Sequence, residues 1–173
     1  LPDFSRSTPN WRYAPLEVCA CESCHFVQLR YSVERDEVFR KYWYRSGISE
    51  TMRAALSDIA AAAKNLFART PLSKEDVVLD IGSNDGTLLS HFPNAKTTGF
   101  DPSDIPSEHG DVTVKEYFTA AAYRDIVGKK ARLIFSIGVL YSVDDPQTFM
   151  ADVADSLAPD GVWVVQMNDL ASM

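Results

Sequence analysis

Val77-Val78-Leu79-Asp80-Ile81-Gly82-Ser83-Asn84-Asp85-Gly86 decides the fold. Its aliphatic half reads as a buried strand, and its glycine-bearing half reads as a tight turn that ends the strand. Downstream, Thr97–Phe100, Val112–Val114, Arg132–Ile137 and Val162–Met167 are predicted as further buried strands. Between them, Gly86–Phe92, Thr119–Val127 and Pro146–Leu157 read as crossover helices. The last has Asp145 as N-cap and Pro146 at the first helical position. It is predicted to stop before Ala158-Pro159-Asp160-Gly161, a turn sequence that combines fixed φ, an Asx-type bond and glycine. Strands alternating with helices predict an α/β chain with a parallel, doubly wound sheet of five strands.

In such a sheet a ligand sits beyond the carboxyl ends of the strands, where strand order reverses. That places it at the loop Gly82–Gly86. Gly82 permits a tight turn and close approach of a ligand to the backbone. Gly86 lets the following helix pack near the sheet and present its N–H groups to an anion. The second strand ends at Asp101, about 20 residues after Asp80, where an acid is suited to accept hydrogen bonds from both hydroxyls of a ribose. A nicotinamide site requires G-x-G-x-x-G, whose second glycine lets the pyrophosphate touch the backbone. Here that position is Asn84, and Asp85 beside it would repel a pyrophosphate. S-adenosylmethionine (SAM), which has a ribose but no phosphate, fits better, with Asp80 facing its ammonium. A turn that serves packing alone stays open as the plainer reading.

The chain has 173 residues, is 46% hydrophobic and carries a formal net charge of −7. It is long enough for one domain and a small appendage. The acidic balance argues against a non-specific nucleic-acid binder. No run has the length of a membrane span and no signal peptide opens the sequence, so a cytoplasmic protein with no membrane partner is expected. Residues 1–30 are rich in turn formers, with Pro2, Pro9 and Pro15, and Phe26–Leu29 reads as a short strand. A polar helix is predicted around Val33–Tyr42. A longer one starts at the N-cap Ser49, and Met52, Leu56, Ile59, Ala63 and Leu66–Phe67 recur at helical spacing until Pro71. Domain boundaries are therefore expected at 1–30, 31–71 and 72–173. Cys21-Glu22-Ser23-Cys24 has the spacing with which one turn offers two thiolates to tetrahedral zinc. With Cys19 and His25 alongside but no second knuckle, free thiols remain the alternative.

Taken together these stretches resemble the SAM-dependent C-methyltransferases that act on nucleotide-linked deoxysugars. Cys21-x-x-Cys24-His25-Phe26-Val27-Gln28-Leu29 looks like the second knuckle of that family's N-terminal zinc module, with His25 where glycine is usual. Tyr42-Trp43-Tyr44-Arg45-Ser46-Gly47-Ile48-Ser49-Glu50-Thr51-Met52-Arg53 is similar to its tyrosine-rich joining segment, which leads into the long helix. Leu79–Leu89 resembles its SAM loop, Ser136–Tyr141 with Asp144-Asp145-Pro146 its fourth-strand motif, and Gly161–Met167 its fifth. The resemblance covers nearly the whole chain. It implies a Rossmann-like class I methyltransferase fold preceded by a partial zinc module and a long helix.

The same resemblance implies methyl transfer to a sugar carbon beside a carbonyl, with a base removing the α-proton. It implies SAM contacts from Asp80, Gly82, Ser83, Asn84, Asp101, Pro102, Ser136 and Ile137. Tyr42 and Tyr44 are the candidates for the substrate side, and Cys21 and Cys24 for structural zinc. The family's first cysteine pair and its Tyr-His-Glu-His segment, the source of the base, lie outside these residues, so the chain is expected to be a fragment. Gly138 and Ser142 stand where many members carry Asn and His. His91 and His109 read as loop residues rather than bases, and Arg45 and Arg53 as solvated charges or contacts to a nucleotide diphosphate. Two further readings remain open: a SAM- or zinc-binding module without its own base, and a methyltransferase acting on a hydroxyl of a small molecule.

Overall fold

A computed structural model describes residues 16–31 and 33–168. The turn-rich stretch expected over residues 1–15 lies outside these. The chain divides into two compact units, the first ending at Phe39 and the second beginning at Arg40.

In the first unit, β1 (Val18–Ala20) pairs antiparallel with β2 (Val27–Leu29), with Cys19 opposite Gln28. The Phe26–Leu29 reading locates the second strand; its partner has no alternation to announce it. The turn between them is closed by Cys21 N–H to the Phe26 carbonyl (2.9 Å) and His25 N–H to the Cys21 carbonyl (2.8 Å). His25 takes φ +60°, a left-handed conformation. That accounts for a position at which glycine would be at ease. The helix expected around 33–42 is a short α1 (Arg35–Phe39).

In the second unit, α2 (Glu50–Leu66) begins where Ser49 accepts the Met52 N–H (3.3 Å), an N-cap as read from the sequence. It precedes the sheet β3 (Val77–Ile81), β4 (Lys96–Phe100), β5 (Val112–Val114), β6 (Ala131–Ile137) and β7 (Leu157–Gln166). Strand order is β5-β4-β3-β6-β7 and all pairs are parallel. Order reverses between β3 and β6, so the switch point lies at their carboxyl ends. The α/β doubly wound architecture with five strands is therefore as expected.

Successive residues of β3 serve opposite faces. Val78 joins Leu56, Ala60, Ala63 and Phe67 of the α2 side, with Leu133 and Phe135 of β6. Val77, Leu79 and Ile81 join Phe100, Tyr123, Phe149 and Val153 on the other side. That second face is covered by α3 (Ala120–Val127), capped by Thr119, and α4 (Pro146–Ser156), capped by Asp145 as predicted. Both faces are thus apolar around Val77–Leu79, which is why the start of β3 reads as a continuous apolar run before Asp80.

Two expectations fail. The Gly86–Phe92 crossover is a 3-10 turn at Leu89–His91 within an irregular coil, not a helix. Gly86 at φ +82° opens this segment and Pro93 closes it, which confines it to a short stretch. A Cβ on Gly86 would lie 2.2 Å from the His109 carbonyl oxygen, so this glycine admits a neighbouring loop rather than a helix. The stretch Ala158–Gly161 belongs to β7 instead of preceding it. Leu157 pairs with Ala131 and Val162 with Leu133, so the turn chemistry appears as a bulge within the strand. Asp160 there lies 3.3 Å from Arg132 Nε.

Candidate functional site

The loop after β3 turns back on β4, with Gly82 and Ser83 donating to the Phe100 carbonyl at 2.7 and 3.1 Å. That contact brings the end of β4 against the loop. Asp101, which is buried, accepts the Asn84 N–H on Oδ2 (2.8 Å) and the Ser103 N–H on Oδ1 (2.9 Å). Its own N–H donates to Val114 of β5 (3.0 Å). A carboxylate has about four acceptor sites, so two remain for a ligand's hydroxyls. Pro102 follows, half-buried.

Asp80, fully buried in β3, has its carboxyl held well above the usual carboxylate range, first by burial and second by the charge of Asp101. A cation placed near it would reverse that shift. Ser83 Oγ is buried and has no hydrogen-bond partner among the described residues. An orphaned hydroxyl at the loop is a feature a bound ligand would satisfy. Across the switch point, Ser136 of β6 is in register with Ile81. Ser136 is fully buried and its Oγ accepts the Trp163 Nε1–H at 2.9 Å, while half-buried Ile137 ends the strand. Asp80, Gly82, Ser83, Asn84, Asp101 and Pro102 are thus gathered around one strand end, with Ser136 and Ile137 on the neighbouring strand.

The tyrosine-rich segment is brought to the same loop, and here sequence reasoning missed the agents. Asn84, at φ +51°, donates from Nδ2 to the Tyr44 carbonyl (2.8 Å) and accepts the Ser46 N–H on Oδ1 (2.9 Å). Asp85, read as a charge that would repel a pyrophosphate, is buried and engaged inside the protein. It accepts the Gly47 N–H (2.8 Å), the Thr87 hydroxyl (2.6 Å) and the Thr87 N–H (3.2 Å). Nothing in the spacing of an Asn-Asp-Gly run announces such partners, which are distant in sequence.

Tyr42 and Tyr44 have ring centroids 6.4 Å apart, and Trp43 meets Tyr44 edge-on at 6.4 Å. The Tyr42 hydroxyl is pushed above the ordinary tyrosine value by burial, then by Tyr141, Tyr44 and Asp101. Arg45 pairs with Glu108, and Arg53 donates to the Gly47 (2.7 Å) and Ile48 (3.2 Å) carbonyls, so both arginines have partners within the chain. His91 is held below the usual histidine range by burial and by Lys64 and His109.

Cys21 and Cys24 lie in the turn of the first unit. The Cys21 thiol is held below the usual cysteine range, first by hydrogen bonding from the backbone of Cys24 and then of Ser23. Among the described residues, no group of three or more His, Cys, Asp or Glu is placed to hold a metal ion. Nor is any described helix long and apolar enough to cross a membrane.

A family model for a methyltransferase domain matches residues 48–172. The chain is 26% identical over 167 residues to C-methyltransferase NovU of Streptomyces niveus, covering 92% of this chain and 39% of that protein. It is 31% identical over 115 residues to trans-aconitate 2-methyltransferase of Paracidovorax citrulli, covering 62% of this chain and 44% of that protein. It therefore spans less than half the length of either relative. Among solved structures, the plantazolicin methyltransferase BpumL, in complex with a pentazolic desmethylPZN analog and SAH, aligns with TM-score 0.55 at 16% identity. That match covers 69% of this chain and 49% of the other and shows a shared fold. The apolar β3, the glycine-bearing loop and the β5-β4-β3-β6-β7 order of the sheet thus come together in one statement: this chain belongs to the methyltransferase domain family.

Proposed function

We propose that this chain is the cofactor-binding part of a SAM-dependent methyltransferase, and that the acceptor is a carbon beside the carbonyl of a nucleotide-linked keto-deoxysugar. The observation that carries the cofactor half is the pairing of Asp101 with the Gly82–Asn84 loop, which leaves two acceptor sites of the carboxylate unused within the protein. The acceptor half rests on the resemblance of the tyrosine-rich segment and on the similarity to a protein named as a C-methyltransferase.

When bound, SAM supplies an electrophilic methyl group on a sulfonium. In this reading Asp101 holds the ribose hydroxyls and fixes the direction in which that methyl is presented. Asp80 becomes a carboxylate against the ammonium group. Ser136, Ile137 and Pro102 shape the walls, and Tyr42 and Tyr44 line the acceptor side. C-methylation also needs a base for the α-proton and donors for the oxyanion. The resemblance puts that base outside these residues.

Calorimetric titration with S-adenosylhomocysteine (SAH) and with NAD tests the cofactor. Saturable SAH binding is expected, and NAD binding without SAH binding would refute the assignment. Transfer of a labelled methyl group from SAM to a nucleotide-linked keto-sugar by the complete gene product tests the acceptor. Label on a hydroxyl oxygen instead of a carbon would favour O-methylation.

Cys21 and Cys24 would hold a structural zinc together with two further ligands, since two thiolates do not close a tetrahedral site. A thiol held below the usual cysteine range at Cys21 suits a thiolate ligand. Elemental analysis of the complete gene product should find about one zinc per chain, and a clean zero would remove the assignment.

A further inference from the structure

We propose that Asn84 is a positioning residue: its backbone answers the ribose-side carboxylate Asp101 while its side chain holds the strap Tyr42–Gly47. Occupation of the cofactor loop and placement of the acceptor-side tyrosines then form one coupled event. This rests on the cofactor reading above.

Three bonds from one residue carry the inference. The Asn84 N–H donates to Asp101 (2.8 Å), its Nδ2 to the Tyr44 carbonyl (2.8 Å), and its Oδ1 accepts the Ser46 N–H (2.9 Å). The residue sits at φ +51°, where few L-residues other than Asn and Asp are at ease. A ligand that fixes Asp101 and the loop backbone therefore fixes the direction of the Asn84 amide as well. Without one, the Asp101 bond, the left-handed backbone and the two strap bonds support one another.

The strap is seated as closely as a backbone can be. Asp85 takes the Gly47 N–H, and a Cβ on Gly47 would stand 2.9 Å from Thr87 Oγ1 and 3.0 Å from Asp85 Oδ2. Glycine is required there by space, since its φ lies outside the left-handed set. The consecutive N–H groups of Ser46 and Gly47 thus both end on loop side chains rather than on water. Tyr42 and Tyr44 are carried on the same short segment, 6.4 Å apart. Coupling between two sites is reciprocal, so whatever loosens the strap must weaken the ligand by the same factor by which the ligand tightens the strap.

Hydrogen exchange of the full chain with and without SAH tests this directly, because the Ser46 and Gly47 amides are themselves the latch. SAH is expected to slow exchange over residues 44–48 by roughly tenfold, equivalent to about 1.4 kcal/mol of coupling. Asn84→Gly keeps the left-handed backbone and removes both side-chain bonds. Gly47→Ala lifts the strap by pressing on Thr87 Oγ1 and Asp85 Oδ2 and leaves the Asn84 side chain in place. Both should abolish the SAH-dependent slowing and weaken SAH binding by roughly tenfold, whatever their effect on melting temperature. Asn84→Asp, which retains an acceptor for Ser46, should keep part of the slowing. If the wild-type chain binds SAH and exchange over 44–48 is unchanged, the coupling is refuted. It is equally refuted if both variants still show the slowing. A wild-type chain that binds no SAH overturns the cofactor reading itself, and this inference with it.

Discussion

Replacing Asp101 by Asn separates the structural duty of this carboxylate from its duty to a ligand. The side chain is buried and accepts one N–H on each oxygen. An amide keeps one acceptor and turns an NH2 toward the other donor, so either Asn84 or Ser103 loses its partner. A buried donor left unmatched costs about 1–3 kcal/mol. Loss of the negative charge works the other way, because it removes the repulsion that helps hold the Asp80 carboxyl high. A net loss of about 1–2 kcal/mol is expected, lowering the melting temperature by about 2–4 °C per kcal/mol for a chain of this size. The ligand should suffer more. Hydrogen bonds to a charged acceptor are worth about 1.5–3 kcal/mol against about 0.5–1.5 for neutral ones. Two ribose hydroxyls moved from carboxylate to amide therefore lose about 2–3 kcal/mol, a weakening of roughly 30- to 150-fold. Titration calorimetry with SAH at pH 7, alongside thermal melting of the free protein, reads both quantities. Binding within threefold of wild type, with the melting temperature lowered, would show that Asp101 only braces the loop, and the ribose argument would fall.

Three further outcomes follow from the same geometry. Asp80 has a raised carboxyl in the fold, so it binds its proton more tightly than the unfolded chain does, and stability declines as pH rises from about 4 through the raised value. A ligand ammonium beside it should release that proton. SAH binding should therefore tighten with pH across that window and give calorimetric heats that vary with the buffer, whereas buffer-independent heats would remove Asp80 from the site. Gly82→Ala places a Cβ 2.5 Å from Val139 Cγ2 at φ +76°, which should cost about 2–3 kcal/mol in chemical denaturation. Adding Val139→Ala should recover the clash but not the backbone strain, and complete recovery would show that φ is unimportant there. Ser49→Ala removes the acceptor of the Met52 N–H and should destabilise the chain by about 1 kcal/mol with little effect on SAH affinity.

The sheet was legible because a buried parallel strand has a simple signature. Val77–Ile81, Val112–Val114 and Arg132–Ile137 are short apolar runs bounded by turn formers, and the pleat then forces alternate side chains into two cores. Caps were legible at Ser49 and Asp145 because their partners lie two or three residues away. The failures have the opposite character. Gly86–Phe92 has helical apolar spacing, but Gly86, Pro93 and the approach of His109 allow only a 3-10 turn. Ala158–Gly161 has turn chemistry, but Arg132 and the pairing of Leu157 draw it into β7. The cofactor-side residues could be named because strand topology fixes where loops end. The bonds from Asn84 and Asp85 to residues 44–47 join positions almost forty apart in sequence, and no local pattern encodes them.

The bulge in β7 bears on how this chain behaves in concentrated solution. β7 pairs with β6 and, among the described residues, with no other strand. Its first half is poorly suited to templating a foreign strand, since Pro159 lacks an N–H, Asp160 is charged and the backbone is out of register. The second half, Val162-Trp163-Val164-Val165-Gln166, is regular, uncharged and rich in β-formers. The bulge thus protects only the first half of β7, and in the second half a lysine at the partly exposed Val165 would add a charge at little cost to the core.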